Sequence, residues 1–203
     1  MRRIGITGGV GAGKSQVLGW MKERWGAKLI RTDDVARALM EPGQAGYQQV
    51  VEALGTSFLK ENGSIDRPAL AQIIFQDQTA KAAVDQITHP LVWKAVEEEL
   101  EAALQEGYPA AVVESAVFDG SSFLLLDELW YVHAPQEVRI RRLMESRGYS
   151  RKRCESMIAS QFSHQDYQAI SSLVIENGGD WEDTKEQINL HMNLLISKEN
   201  SEN

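Results

Sequence analysis

Short apolar runs alternate with stretches of helical periodicity along most of the chain. The apolar runs predict strands at 3–7, 27–30, 110–113, 129–132 and 173–175. Apolar residues at helical spacing, with acids in some first turns, predict helices at 15–25, 33–40, 136–147, 150–165 and 181–197. Strands that alternate with helices indicate an α/β fold with a parallel sheet flanked by helices.

The stretch from Gln44 to Glu106 departs from this alternation, because it is helical and contains no clear strand. Helices are predicted at 44–54, 66–76 and 79–106, and Asn62-Gly63 marks a turn. Pro90 lies inside the last helix, so a break near His89 is expected. We interpret this stretch as a helical insertion in the α/β pattern.

The first predicted strand runs into a glycine-rich segment that ends in a lysine and a serine. Residues 8–15 read Gly-Gly-Val-Gly-Ala-Gly-Lys-Ser and fit the pattern G-x-x-x-x-G-K-[ST] in full. A strand precedes the segment and a helix follows it, which is the context of a P-loop NTPase. Glycines let successive N–H groups face one anion, and the helix adds its positive end.

This segment is therefore predicted to bind the phosphates of ATP. Lys14 is expected on the β- and γ-phosphates and Ser15 on Mg²⁺. The residues expected to contact ATP here are Gly9, Val10, Gly11, Ala12, Gly13, Lys14, Ser15 and Gln16.

Acidic residues follow two other predicted strands. Asp33 and Asp34 come after the second strand, and Glu114 ends the third. Ligands of open α/β sheets lie beyond the carboxyl ends of strands, so an acid there is placed to accept a proton or to help hold a metal ion. The alternatives are helix capping for the aspartates and simple exposure to solvent for Glu114.

The charge of the chain is unevenly distributed. The formal net charge is -8, which argues against general nucleic-acid binding. Seven of the 21 basic residues nevertheless lie between Arg139 and Arg153, with Glu145 as the only acid among them. This run is either a site for an anion or a solvated helix face.

Two further features concern the compartment. No apolar run approaches the ~18 residues that a membrane-spanning helix needs, and the start of the chain lacks the apolar stretch of a signal peptide. Cys154 is the single cysteine and has no partner for an internal disulfide. We therefore expect a cytoplasmic protein with no membrane partner.

Several motifs together resemble the dephospho-coenzyme A kinase family over roughly residues 2–179. The P-loop by itself is typical of the whole superfamily. The more specific elements are TDDVAR, EPG at 41–43, IDRPALAQIIF at 65–75, ITHPLV at 87–92, RLM at 142–144, the region of Gln161, and VIENGG at 174–179.

The resemblance implies a P-loop kinase with three parts. These are a nucleotide-binding core (1–41, 107–134 and 171–198), a helical insertion that binds the coenzyme (42–106), and a lid that carries arginines (about 139–165). It implies transfer of the γ-phosphoryl group of ATP to the ribose 3′-hydroxyl of dephospho-coenzyme A, with Mg²⁺ as cofactor. We expect a monomer or a weak oligomer.

The resemblance also implies roles for individual residues. Asp33 falls on the catalytic acid of the family, Arg142 on a lid arginine and Asn177 on the adenine-side loop, while Arg147 is a second candidate for ATP. The residues expected on the acceptor side are Thr7, Asp33, Arg37, His89 and Glu114. The metal is expected on Ser15, with Glu114 or Asp33 as a further ligand.

Some positions depart from the family pattern. Arg31, Gln16, Gly120, Ser146 and His164 replace, in that order, an aspartate, a threonine, a glutamate and two arginines that the family usually has. These departures affect the lid and the metal contacts but leave Lys14, Ser15 and Asp33 in place. Two alternative functions are another small-molecule kinase of the superfamily, such as a nucleoside or nucleotide kinase, and a nucleotide-binding module without an acceptor.

Overall fold

The computed structural model of the protein describes residues 1–118, 120 and 122–202. Five strands in this part of the chain form one sheet in the order β2-β3-β1-β4-β5. The strands are β1 (Arg2–Thr7), β2 (Lys28–Arg31), β3 (Ala110–Glu114), β4 (Glu128–His133) and β5 (Leu173–Glu176). The pairings of β1 with β3, β1 with β4, and β4 with β5 are parallel. The parallel α/β sheet predicted from the sequence is confirmed.

The α-helices connect and follow these strands. They are α1 (Lys14–Trp25), α2 (Thr32–Leu39), α3 (Ala45–Leu54), α4 (Arg67–Gln76), α5 (Gln78–Gln105), α6 (Gln136–Arg147), α7 (Arg151–Ala159), α8 (His164–Ile170) and α9 (Trp181–Glu202). A short 3-10 turn at Ser122–Leu125 has no counterpart in the sequence prediction. Among the helices described, none is both long and apolar enough to cross a lipid bilayer.

The chain divides into two compact units. The first comprises Met1–Leu29 with Ala102–Asn203, and the second comprises Ile30–Glu101. The core of the first unit lies where β1, β3 and β4 meet α1 and α9, and its central members are Ile4, Ile6, Val112, Trp130, Ile188 and Met192. The second unit has its own core, formed by Met40, Val50, Phe58, Ile65, Leu70 and Val84.

Helix α5 corrects one sequence prediction, because it continues through Pro90 where a break was expected. Proline removes one backbone hydrogen bond and costs a helix about 3 kcal/mol. Residues spaced four apart on the same helix, Val92, Val96 and Leu100, are buried. Burial of three such side chains stabilises the helix by more than the proline costs, at about 1.5–3 kcal/mol each.

The segment 150–165 corrects a second prediction, because it forms two helices and not one. Helix α7 ends at Ala159, and α8 begins at His164. The hydroxyl of Ser163 accepts a hydrogen bond from the Asp166 N–H, and the Asp166 carboxylate accepts one from the Ser163 N–H at 2.9 Å. This reciprocal capping box defines the start of a new helix. The bend it creates places Gln161 in the connection between α7 and α8.

Candidate active site

The phosphate loop connects the end of β1 to the start of α1. Gly13 occupies the N-cap position of α1 with φ 92°, a left-handed conformation that favours glycine. A methyl group at this position would also overlap the side-chain amide of Asn177. No side chain caps the first turn of α1, in which the N–H of Gln16 donates to the Gly13 carbonyl oxygen at 3.0 Å. The positive end of the helix therefore lies at the loop, where it favours an anion.

Gly11 lies in the middle of the loop, where the structure shows a contact that the sequence did not predict. Its φ is 78°, which again favours glycine. A methyl group at this position would lie 2.8 Å from the carbonyl oxygen of Arg139 and 3.1 Å from the side chain of Leu143. Gly11 is therefore required for the close packing of the loop against α6, in addition to any role with phosphate. Its contact with ATP stays a prediction.

The loop residues on either side of Gly11 use their N–H groups within the protein. The N–H of Val10 donates to the side-chain oxygen of Gln161 at 2.9 Å, and the N–H of Ala12 donates to the carbonyl oxygen of Gly9 at 3.2 Å. These two N–H groups therefore have partners within the protein. Phosphate binding by Val10, Ala12 and Gly9 stays a prediction.

The ammonium group of Lys14 lies between the loop and the end of β3. It donates a hydrogen bond of 2.7 Å to the carbonyl oxygen of Gly8, and it is 3.8 Å from a carboxylate oxygen of Glu114. Both side chains are largely shielded from solvent. The structure thus brings together the lysine and the strand-end acid that the sequence singled out separately. A cation held here has the charge and the reach to bind the phosphates of a nucleotide.

Ser15 and Gln16 occupy the first turn of α1 and are exposed, whereas Thr7 is buried at the end of β1. The Ser15 hydroxyl is therefore accessible from solvent at the positive end of the helix. Within the described residues, no group of three or more His, Cys, Asp or Glu side chains is arranged to hold a metal ion. A magnesium ion bound mainly by nucleotide phosphates and water requires only one or two protein ligands.

Two side chains converge on the carbonyl oxygen of Ala12. The Asn177 amide donates to it at 2.8 Å, and a guanidinium nitrogen of Arg142 donates to it at 3.3 Å. Asn177 is buried, and its own amide oxygen lies 3.1 Å from the hydroxyl of Thr184, which also reaches the Glu176 carbonyl oxygen at 3.0 Å. Partial burial and the charge of Arg141 lower the pKa of Arg142. Arg142 and Asn177, predicted from the sequence on the ATP side, therefore both contact the phosphate loop.

Arg139 and Gln161 also contact the loop, although the sequence did not single them out as site residues. Arg139 donates to the carbonyl oxygen of Val10 at 2.8 Å and to the side-chain oxygen of Gln161 at 2.9 Å. The same Gln161 oxygen accepts the hydrogen bond from the Val10 N–H. The sequence did contain a signal, since Arg139 lies three residues before Arg142 and so shares its helix face.

A cluster of aromatic rings lies beside these residues. Tyr131 on β4 stacks on Tyr167 of α8 with ring centroids 4.9 Å apart. His164, which stands where the family usually has an arginine, lies with its Nδ1 3.4 Å from the Tyr131 hydroxyl and its ring 4.3 Å from that of His133. Burial raises the pKa of Tyr131 to about 12, although the positive charge of Arg139 opposes the shift.

Two other arginines of the basic run contact side chains outside the phosphate loop. Arg151 is bound by Glu137 at 2.7 Å and by Glu155 at 3.3 Å, both on exposed surfaces. The guanidinium of Arg147 lies 6.0 Å from the centre of the Tyr149 ring. Binding of an anion by this run remains a prediction. Binding of ATP by Arg147 also remains a prediction.

The predicted acids and acceptor residues of the second unit lie on two helices. Asp33 and Asp34 occupy the first turn of α2, whose N-cap residue is Arg31, so neither aspartate is the N-cap. Asp34 is 3.7 Å from Arg37, and both side chains are exposed. His89 is exposed in the middle of α5. The roles of Asp33, Arg37 and His89 stay predictions.

Comparisons with known proteins agree with this description. Residues 2–183 match the family model described as dephospho-CoA kinase. The dephospho-CoA kinase of Moorella thermoacetica is 38% identical over 187 residues, which cover 91% of this chain and 88% of the relative. The dephospho-CoA kinase of Carboxydothermus hydrogenoformans is 34% identical over 186 residues, which cover 91% of this chain and 90% of the relative.

Solved structures give the same result for the fold. The crystal structure of TT1252 from Thermus thermophilus has a TM-score of 0.77 at 27% identity, covering 96% of this chain and 97% of that one. Dephospho-CoA kinase from Campylobacter jejuni has a TM-score of 0.72 at 20% identity, covering 98% of this chain and 100% of that one. Shikimate kinase from Acinetobacter baumannii, with a TM-score of 0.53 at 14% identity over 98% and 94%, shares the fold alone. From the family match and its relatives, the chain belongs to the dephospho-CoA kinase family.

Proposed function

We propose that the protein transfers the γ-phosphoryl group of ATP to the ribose 3′-hydroxyl of dephospho-coenzyme A. The products are ADP and coenzyme A, and the reaction is the last step of coenzyme A biosynthesis. The observation that carries the proposal is the position of Lys14, between the Gly8 carbonyl and Glu114 at the mouth of a complete phosphate loop. Membership of the family identifies the acceptor.

In the proposed mechanism, residues of the loop hold and orient the nucleotide. The N–H groups around Gly13 bind the phosphates, and Lys14 leaves its contacts with Gly8 and Glu114 to bind the β- and γ-phosphates. Arg142 already contacts the loop at Ala12, and we assign its guanidinium to the charge that moves toward the departing ADP. Both cations act where negative charge accumulates during transfer.

We assign the binding of Mg²⁺ to the Ser15 hydroxyl, with Glu114 or Asp33 as a further ligand. A serine hydroxyl and one carboxylate fit the small number of protein ligands that Mg²⁺ takes beside a nucleotide. When bound, the ion supplies charge neutralisation on the phosphate oxygens. The chain supplies the position of the nucleotide and the handling of the acceptor proton.

We assign the acceptor hydroxyl to Asp33. A bond forms between the 3′-oxygen and the γ-phosphorus, and the bond from that phosphorus to the bridging oxygen of ADP breaks. The hydroxyl proton passes to the Asp33 carboxylate and then to solvent. Thr7, Arg37, His89 and Glu114 are assigned to the remainder of the acceptor, and the insertion 42–106 and the lid 139–165 to the exclusion of water.

A coupled ADP-release assay tests the proposal. With ATP and Mg²⁺ present, we expect ADP release to depend on added dephospho-coenzyme A and to be lost in Lys14→Ala. Nucleosides and nucleotides serve as alternative acceptors in parallel reactions. Turnover with one of these and not with dephospho-coenzyme A would identify a different small-molecule kinase. ADP release that no acceptor stimulates would refute transfer altogether.

A further inference from the structure

Arg139 is a buried cation that lies against the phosphate loop. It projects from α6, and only 9% of the residue is exposed. Burial lowers the pKa of Arg139, an effect that Tyr131 and Tyr167 oppose. None of the described carboxylates forms an ion pair with it. Burial of a charged group costs free energy unless hydrogen bonds compensate for it. The partners of this guanidinium show how that cost is met.

Those contacts form a closed ring with one residue of the loop. Arg139 donates to the Val10 carbonyl and to Gln161, and the Gln161 oxygen also accepts from the Val10 N–H. The N–H and the carbonyl of one residue belong to two consecutive peptide groups. The ring therefore fixes both peptide planes that flank Val10. Ala12, two residues later, is held by Asn177 and Arg142.

We propose that Arg139 and Gln161 are positioning residues that hold the phosphate loop in its nucleotide-binding conformation. Anion binding by backbone N–H groups depends on their common direction, which rotation of a single peptide plane would disturb. Fixing the planes beforehand lowers the ordering cost of nucleotide binding. Because Gln161 lies in the connection between α7 and α8, the ring also ties that connection to the loop. This inference rests on the nucleotide-binding half of the proposed function.

Gly9 offers a way to break the ring from the loop side. A methyl group at Gly9 would overlap the guanidinium of Arg139, and the three nearest atoms all belong to that guanidinium. The end of a flexible side chain moves more readily than backbone, so Gly9→Ala is expected to displace Arg139 and leave β1 in place. Gly9→Ala and Arg139→Met therefore remove the same interaction from opposite sides.

The test measures the affinity for a non-hydrolysable ATP analogue by calorimetry, with kcat and the KM for ATP. We expect Gly9→Ala, Arg139→Met and Gln161→Leu each to weaken nucleotide binding about 10-fold, the scale of a lost charge-assisted hydrogen bond. The double variant Gly9→Ala/Arg139→Met should be no weaker than the worse single variant, whereas independent effects would multiply to about 100-fold. Arg24→Met, in the exposed last turn of α1 and outside the basic run, is the matched control.

Arg139→Lys separates position from charge. A single ammonium cannot reproduce the two directed contacts of the guanidinium, so we expect this variant to bind as weakly as Arg139→Met. Wild-type affinity in Arg139→Lys would overturn the positioning role in favour of charge alone. Unchanged analogue affinity in Arg139→Met and Gly9→Ala, with only a lower melting temperature, would show that the ring merely docks α6. Since the analogue is measured without an acceptor, failure of the proposed acceptor would not affect this result.

Discussion

The side-chain amide of Asn177, which follows β5, donates a hydrogen bond of 2.8 Å to the carbonyl oxygen of Ala12 in the phosphate loop. The hydroxyl of Thr184 lies 3.1 Å from the oxygen of this amide and 3.0 Å from the carbonyl oxygen of Glu176, so these two acceptors share its one proton. Asn177, Ala12 and Thr184 are buried. A residue on α9 thus supports the loop through one intermediate side chain.

Thr184→Val tests that support. Valine has nearly the same shape as threonine but removes the buried hydroxyl that the Asn177 amide oxygen and the Glu176 carbonyl oxygen share, so we expect a loss of about 1–3 kcal/mol in the free energy of unfolding. Urea titration measures it, and Thr56→Val, at an exposed turn, is the control. A loss no larger than the control's would show that the Thr184 hydroxyl does not hold the amide.

Lys14→Ala should abolish phosphotransfer and leave the fold intact. The ammonium contacts Gly8 and Glu114 at the mouth of the loop and not the apolar core. We expect turnover to fall by at least ~10²-fold, the scale of one lost electrostatic stabiliser. Lys22→Ala, on the exposed side of the same helix, is the control. Near-normal turnover in a folded Lys14→Ala protein would contradict the role of the loop.

Asp33→Asn and Asp34→Asn should separate the two neighbouring acids. Asp33→Asn removes the proposed proton acceptor, and we expect turnover to fall by ~10²-fold or more while ATP still binds. Asp34 forms an exposed ion pair with Arg37, so Asp34→Asn should lower the free energy of unfolding by no more than about 0.5 kcal/mol. Turnover, ATP affinity and melting temperature are measured for both. A dead Asp34→Asn enzyme, or two active variants, would place the catalytic acid elsewhere.

Residues 139–153 should become more protected when nucleotide and acceptor are both bound. Seven basic residues lie in this segment of an acidic chain, and Arg142 already reaches the phosphate loop. Hydrogen exchange in the segment should slow in the presence of an ATP analogue together with dephospho-coenzyme A. Helix α9, which packs against α1 and the sheet, provides the reference within the same measurement. Equal exchange with and without ligands would mean that the run is a solvated surface that does not close on the nucleotide.

The capping box at the start of α8 predicts a dependence of stability on pH. The hydrogen bonds from the Ser163 hydroxyl and N–H lower the pKa of Asp166. A lowered pKa in the folded state stabilises the fold above the ordinary aspartate pKa of about 4, and that stability is lost as the pH falls through the folded value. Asp166→Asn should therefore melt below the wild type at pH 7, and the difference should shrink below about pH 4. Glu145→Gln, an exposed substitution on α6, is measured in parallel as the control. An effect of Asp166→Asn that does not depend on pH would exclude the carboxylate as its source.

Local patterns in the sequence predicted the strands and the phosphate loop, because each depends on a few neighbouring residues. The run at 110–113 is apolar enough to indicate a buried strand, and glycines followed by Lys14-Ser15 indicate the loop. Pro90 misled the prediction, since burial of residues further along α5 outweighs the local cost of a proline.

The contacts between the loop and α6 were missed for a related reason. The ring of Arg139, Gln161 and Val10 joins residues 129 and 151 positions apart, which only the folded chain brings together. The packing of Gly11 against the Arg139 backbone is equally distant in sequence. A local motif identifies Gly11 as a loop glycine, but it carries no information about the helix that lies against it.

The central position of β1 has a consequence for how the protein is made. Residues 2–7 pair with β3 from residue 110 onward and with β4 from residue 128 onward. A ribosome adds about 5–20 residues each second, so synthesis of β3 begins roughly 5–20 s after β1 has been synthesised. During that interval Ile4 and Ile6 have no sheet to cover them. The nascent chain therefore offers an apolar segment and an unformed loop to chaperones until more than half of it has been translated.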